Sequence, residues 1–196
     1  DGDGSVIRSA GIFVDKGVAN SFNKTTCKDN FVGMWFYQTQ QTALRDYIGF
    51  DNMFANVFGH QVLDTFAVYN PDVIGLSNPE ASITIGSDTI PAASFICYNS
   101  EANIRILDSK TKGNGTFFRF KKCRKATIEG GWIRLPDDNS PAVVIDGAAT
   151  AWDFTARDVL FTAGSGAGAN RKAIYAQSQD VTRFSQVNID SCRIHF

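Results

Sequence analysis

Residues 116–135 read TFFRFKKCRKATIEGGWIRL. An apolar pair leads into a polar, basic turn at residues 121–125. A short strand-like stretch follows and closes on Ile128. An acid with two small residues (Glu129, Gly130, Gly131) separates it from another short stretch around Ile133. Phe118 and Ile128 lie ten residues apart, and the same apolar pair recurs as Ile96 and Ile106, Val144 and Phe154, and Ile174 and Phe184. The first members are stepped by 22, 26 and 30 residues. A third apolar position follows five residues later at Ile133, Val159 and Ile189, and Thr111 breaks the pattern in the first turn. A recurring period of this length is the mark of a stacked architecture.

The physical reading is direct. Each turn supplies about three short strands, and each strand puts one or two apolar side chains inward. One turn alone cannot bury them. Turns stacked ~4.8 Å apart align equivalent positions in columns and pair each backbone group with the turns above and below. β-Branched and aromatic residues suit such interior strands. The changing period requires loops that project from the stack. The Gly-rich residues 162–171 (TAGSGAGANR) and residues 137–141 (DDNSP) fit that part. Val143, Val144 and Ile145 are all apolar, so the pattern leaves open which one faces inward. A slip of one residue would reverse every facing in that strand.

Residues 1–75 show no such repeat. Residues 42–58 (TALRDYIGFDNMFANVF) place Leu44, Ile48, Met53, Phe54, Val57 and Phe58 at spacings that predict a helix, with Gly49 inside it. Residues 33–37 (GMWFY) read as a buried strand, and Asn70-Pro71-Asp72 reads as a turn. The expected fold is mainly β. A right-handed parallel β-helix of about four turns over residues 76–196 follows a small mixed α+β region over residues 1–75, which caps or connects.

Composition narrows the function classes. Of 196 residues, 43% are hydrophobic and 20% charged, which suits a folded domain. Lys plus Arg number 19 against 20 Asp plus Glu, so the net charge of −1 gives no electrostatic case for nucleic acid or an anionic membrane. No apolar run approaches the ~18 residues of a membrane span. Sixteen Phe and 17 Gly suit strands separated by tight turns. Cys27, Cys97, Cys123 and Cys192 are scattered with no CxxC pair, which favours free thiols over a metal site. His60 and His195 are too far apart in the pattern to share a metal, and no cofactor is expected. The opening Asp1-Gly2-Asp3-Gly4 carries neither Met nor a secretory pattern and reads as a chain boundary or processing site.

The stretches 82–107, 116–135, 144–161 and 174–196 together resemble the β-helix of bacteriophage tailspikes and tail fibres, over roughly 110 residues. Pectate-lyase-like polysaccharide enzymes share the pattern. The resemblance implies a homotrimer in the phage tail, made in the bacterial host cytoplasm and joined to other tail proteins. It implies binding of bacterial surface polysaccharide, O-antigen or capsule, and for many members its cleavage by carboxylates. A structural trimeric spacer of the tail and a cellular polysaccharide lyase or hydrolase are the alternatives on the same scaffold. The strand pattern still runs at Ile194-His195-Phe196, which leads to the expectation of a longer spike.

Two outward groups follow from the expected register. Glu129, Thr155 and Ser185 would form one column, with Thr127, Asp153 and Arg183 beside it. Glu129 and Asp153 would then be diagonal neighbours, a candidate acid and base for glycoside hydrolysis, which takes two carboxylates about 5 to 9.5 Å apart. A surface ion pair of Asp153 with Arg183 is the plainer reading. Trp132, Asp158 and Asn188 would share a second column, with Arg134 and Arg157 alongside. An aromatic face and planar hydrogen-bonding groups are what a sugar ring needs. Trp132 beneath a loop or at a subunit contact is the alternative. Trp152, next to Asp153, would extend such a groove or pack inside.

Overall fold

The computed structural model describes residues 10–147, 153–163, 172–178 and 186–195. These residues form short strands in two large parallel sheets and one hairpin. Three strand positions repeat through seven rungs. The first three rungs are β1 (Ala10–Asp15), β2 (Ser21–Asn23) and β3 (Thr26–Lys28); β4 (Val32–Tyr37), β5 (Gln40–Arg45) and β6 (Ile48–Phe50); and β7 (Ala55–His60), β8 (Leu63–Tyr69) and β9 (Asp72–Ile74). The hairpin strands β10 (Ser82–Ile85) and β11 (Asp88–Pro91) are inserted before the fourth rung. In that rung β12 (Phe95–Leu107) fills the first two positions and β13 (Lys110–Lys112) the third; the fifth rung is likewise β14 (Phe118–Glu129) and β15 (Trp132–Arg134). The sixth is β16 (Val143–Gly147), β17 (Asp153–Arg157) and β18 (Leu160–Thr162), and the seventh β19 (Ile174–Ser178), β20 (Gln186–Asp190) and β21 (Arg193–His195).

Every rung pairs in parallel with the rung before and after it. The first-position strands run β1-β4-β7-β12-β14-β16-β19, and the third-position strands form their own sheet from β3 to β21. The pairing crosses residue 75 without a break: β7 and β8 both bond to β12. Alternate side chains point into one core, as the period-2 geometry of strands requires. Phenylalanines line it rung by rung. Phe22, Phe36, Phe66, Phe95 and Phe118 contact in sequence, with ring centroids 5.6, 5.3, 5.8 and 6.3 Å apart. A second apolar cluster lies outside the first-position strands, where Ile83 and Ile90 of the hairpin cover Phe58, Ile96 and Tyr98.

The corners are made by residues with left-handed backbone. Between second and third strands the column is Lys24, Asp46, Asn70, Asp108, Gly130, Asp158 and Ser191, all with φ between 50° and 68°. The first six close on the next rung, as in Asp46 N–H to Tyr69 O at 2.9 Å and Asp108 N–H to Glu129 O at 2.9 Å. Asp and Asn tolerate this conformation better than most side chains because they bond locally.

These corners correct the expected mixed N-terminal region. Residues 42–58 form strands, not a helix: they belong to β5, β6 and β7, and no helix occurs among the described residues. Left-handed Asp46 and Asp51 break the stretch at the two corners. The helix-like spacing came from inward Leu44 and Val57 of two successive rungs and from Phe54 of the outer cluster, interspersed with exposed Ile48 and Met53. The strand expected at residues 33–37 and the turn at Asn70 are present.

The repeat is present with a shifted register. Phe118 lies opposite Phe95 and Val143, so Ile96 meets Arg119 and Val144 meets Arg119 on the other side. The steps from Phe95 are therefore 23, 25 and 31 residues to Phe118, Val143 and Ile174. Ile128 lies opposite Ala156, and Phe154 opposite Ala126. Between β16 and β17 the sixth rung carries three residues more than β14 does, which carries the second strand off the ten-residue spacing. Ile133 aligns with Phe161 and with Thr111, so Thr111 keeps its column as a buried polar member. Phe184, Arg183, Ser185 and Trp152 lie outside the described residues.

Candidate functional site

Glu129 sits outward on the second strand between Leu107 and Arg157. Its carboxylate lies 3.5 Å from Arg105 Nη2. Asp153 pairs with Lys125 and Gln186, four residues before Arg157. Four strand steps and one rung place the two backbones about 14 Å apart. That exceeds the separation at which two carboxyl groups flank one glycosidic bond.

The expected sugar-binding column is also distributed. Trp132 is 51% exposed and shares its column with Lys110, Leu160 and Arg193. Its Nε1–H donates to Thr162 Oγ1 at 2.6 Å, which holds the indole against the third-position sheet. Asp158 is a corner residue with φ 53°, and Asn188 lies opposite Thr155 on the second strand. Arg157 Nε is 3.6 Å from Asp190 Oδ2, and Arg134 Nη2 is 3.2 Å from Asp137 Oδ1. Trp132 and Arg134 thus stand on one side of a corner and Arg157 and Asn188 on the other.

Among the described residues a concave site lies elsewhere, at the corner between first and second strands of rungs one to four. A groove of about 570 Å³ is lined by Lys16, Gln38, Gln40, Gln61, Leu63, Asn99 and Glu101. Lys16, Gln38, Gln61 and Asn99 are equivalent corner residues with φ of 54°, 51°, 54° and 49°. The left-handed backbone aims their side chains off the stack, while Thr39, Val62 and Ser100, next in sequence, are buried beneath. Lys16 N–H donates to Tyr37 O, Gln38 N–H to His60 O and Gln61 N–H to Tyr98 O, at 2.9, 3.0 and 3.0 Å. This fixes the corner residues about 4.8 Å apart. Gln38 Nε2–H donates to Gln61 Oε1 at 3.0 Å, so neighbouring rungs share a preformed amide pair. Leu63 supplies an apolar patch.

The chemistry of this lining is recognition. Each amide offers two donors and an acceptor, which suits ligands whose hydroxyls both donate and accept. Glu101 is the one carboxylate of the lining, whereas glycosidic cleavage uses two. Lys16 balances it, so the groove carries no strong field.

One sheet face away lies an aromatic surface formed by Phe13, Trp35, Tyr37, His60 and Tyr98. Phe13 and Trp35 pack with tilted rings at 4.9 Å, Tyr37 and His60 at 5.1 Å, and His60 and Tyr98 at 5.2 Å. Burial lowers the His60 pKa to about 4, and its Nδ1 has no hydrogen-bond partner. Tyr98 Oη–H donates to Asp88 Oδ2 at 2.6 Å, and Lys122 Nζ also contacts Asp88. Burial works to raise the Asp88 pKa, and these two hydrogen bonds with the Lys122 charge outweigh it and lower the value. Burial, then the Asp88 contact, raises the Tyr98 pKa. The hairpin is thus tied to the stack at its tip.

Sequence reading passed over the groove because it searched for carboxylate pairs and for one exposed Trp. The signal was present in residues 38–41 (QTQQ) and in the 23-residue step from Gln38 to Gln61, which equals a rung. All four cysteines are free thiols, three of them buried. Among the described residues no group of His, Cys, Asp and Glu could hold a metal ion, and no helix is long and apolar enough to cross a membrane. No family model, curated protein or solved structure matches the chain.

Proposed function

We propose that this chain is a right-handed parallel β-helix from a phage tailspike or tail fibre, and that it binds bacterial surface polysaccharide in the groove along its first corner. The observation that carries the reading is the in-register amide column of Gln38, Gln61 and Asn99, with Gln40 beside it and Leu63 as an apolar contact. Sugars are held by such planar hydrogen-bonding groups next to an apolar surface. The right-handed winding follows from the near-universal hand of parallel crossovers. The same reading makes the native assembly a homotrimer in the virion tail, with other tail proteins as neighbours. The lone carboxylate of the groove favours a receptor-binding module over a depolymerase.

The test is equilibrium binding to a panel of purified O-antigen and capsular polysaccharides, with reducing-end release followed in parallel. Saturable binding to one glycan, weakened by substitution of Gln38 or Gln61, supports the reading. Binding with release of reducing ends turns it into a depolymerase. No binding across the panel, with a trimer by light scattering, leaves the spacer role and removes the glycan groove.

A further inference from the structure

Arg119 is a buried cation with one donor left unmet. It is 9% exposed, on the outward face of β14, and its Nε is buried with no hydrogen bond. Its column neighbours are Ile96 and Val144, both apolar and buried. Guanidinium stays charged at any ordinary pH, and a buried charge is costly unless something neutralises it. Asp146 acts on Arg119 through its charge, but the nearby carboxylates are shared with other groups. Asp146 Oδ2 is 3.2 Å from Lys121 Nζ, and that ammonium also donates to Thr89 O at 3.2 Å. Asp88 is taken by Tyr98 and Lys122.

The surroundings add positive charge. Lys121 and Lys122 lie two and three residues along the same strand, and Tyr175 follows Val144 in the Arg119 column with Lys172 Nζ 4.9 Å from its ring. Arg119, Lys121, Lys122 and Lys172 stand against Asp88 and Asp146, so this face carries an excess of two positive charges. We infer that Arg119 anchors a binding site for an oxyanion (a carboxylate, sulfate or phosphate group) on the outer face of the first-position sheet beside the hairpin. A forked guanidinium takes such groups through two parallel hydrogen bonds, which a lysine does not reproduce. The site lies on a different face from the amide groove and does not rest on the glycan reading.

The test is titration calorimetry of the full chain with sodium sulfate, sodium phosphate and sodium glucuronate, each against sodium chloride at equal ionic strength. Wild type is expected to bind at least one oxyanion with one-to-one stoichiometry. Arg119→Met should weaken that binding at least tenfold while remaining as stable as wild type in chloride, since it removes a buried charge whose Nε has no hydrogen bond and leaves Asp146 paired with Lys121. Arg119→Lys, which keeps the charge and serves if the Met variant does not fold, should also bind more weakly. Binding of sulfate and phosphate without glucuronate assigns a tetrahedral anion, and binding of glucuronate assigns the carboxylate of an acidic sugar. No binding by wild type, or equal binding by wild type and both variants, overturns the proposal.

Discussion

Gln38 and Gln61 occupy the same corner position in successive rungs, and the Gln38 side-chain amide donates to that of Gln61 at 3.0 Å. Each therefore presents a fixed set of remaining donors and acceptors to the groove. Gln61→Ala removes one member and frees the other to rotate. The loss of about one hydrogen bond predicts roughly tenfold weaker glycan binding. The left-handed backbone is unchanged in kind, so thermal stability should move little. Binding isotherms and melting curves on the same samples check this. Equal losses of binding and stability would assign the pair to the fold instead.

The buried imidazole of His60 predicts acid sensitivity. Its folded pKa is lowered to about 4 by burial, against about 6.5 in an unfolded chain. Above pH 6.5 both states are neutral and the residue contributes nothing to pH dependence. As the pH falls from 6.5 to 4 the unfolded chain takes a proton that the folded one refuses. Stability should drop by about 3 kcal/mol over that window and then level off. His60→Phe keeps the ring contacts with Phe58, Tyr37 and Tyr98 and should remove this part of the acid slope. Urea titrations of both proteins at pH 7 and pH 4.5 give the difference.

Asp88 ties the hairpin to the stack through Tyr98 and Lys122. Asp88→Asn keeps an acceptor for the tyrosine and loses the charge that Lys122 meets. The ammonium is partly exposed, so the expected cost is modest, about 1 kcal/mol. It should appear locally. Amide hydrogens of β10 and β11 should exchange several-fold faster while those of β12 and β14 keep their protection. Because the folded Asp88 pKa is lowered, its contribution is complete above the unfolded carboxyl pKa and is lost as pH falls through the folded value.

How much of this was legible differs by feature, for physical reasons. The rung repeat was readable between Phe118 and Ile174 because inward positions there are large and apolar. It was missed before residue 75, where inward positions include Thr42, Gly49 and Gly59, and where the second core beneath the hairpin adds apolar residues on the other face. The exact register was beyond reach, since Val143 and Val144 are both buried, one in the core and one outside it. The three extra residues between β16 and β17 moved Glu129 from Thr155 to Arg157 and separated it from Asp153. The amide groove needed a different cue: corner residues are set by left-handed backbone, and Lys16, Gln38 and Gln61 are not the usual residues for it.

A crowded backbone approach in the interior predicts a sharp loss of stability. Tyr47 Oη–H donates to Asn56 O at 2.7 Å in the interior, and Asn56 Oδ1 accepts from Asn52 Nδ2 at 2.6 Å. Gly33 faces this cluster. A Cβ there would stand 2.5 Å from Asn56 O and 2.8 Å from Tyr47 Oη. Neither atom can retreat without breaking the other's bond. Gly33→Ala should therefore cost about 3 kcal/mol, the upper end for overpacking. Gly59 offers the contrast, because a Cβ there meets the Cys97 side chain at 3.2 Å and no backbone atom. A sulfur can rotate or shift by the few tenths of an ångström required, so Gly59→Ala should cost about 1 kcal/mol or less. Denaturant midpoints of the two variants, measured with a common slope, should differ in that order. Equal midpoints would mean that the backbone at Asn56 yields more readily than a paired parallel strand should.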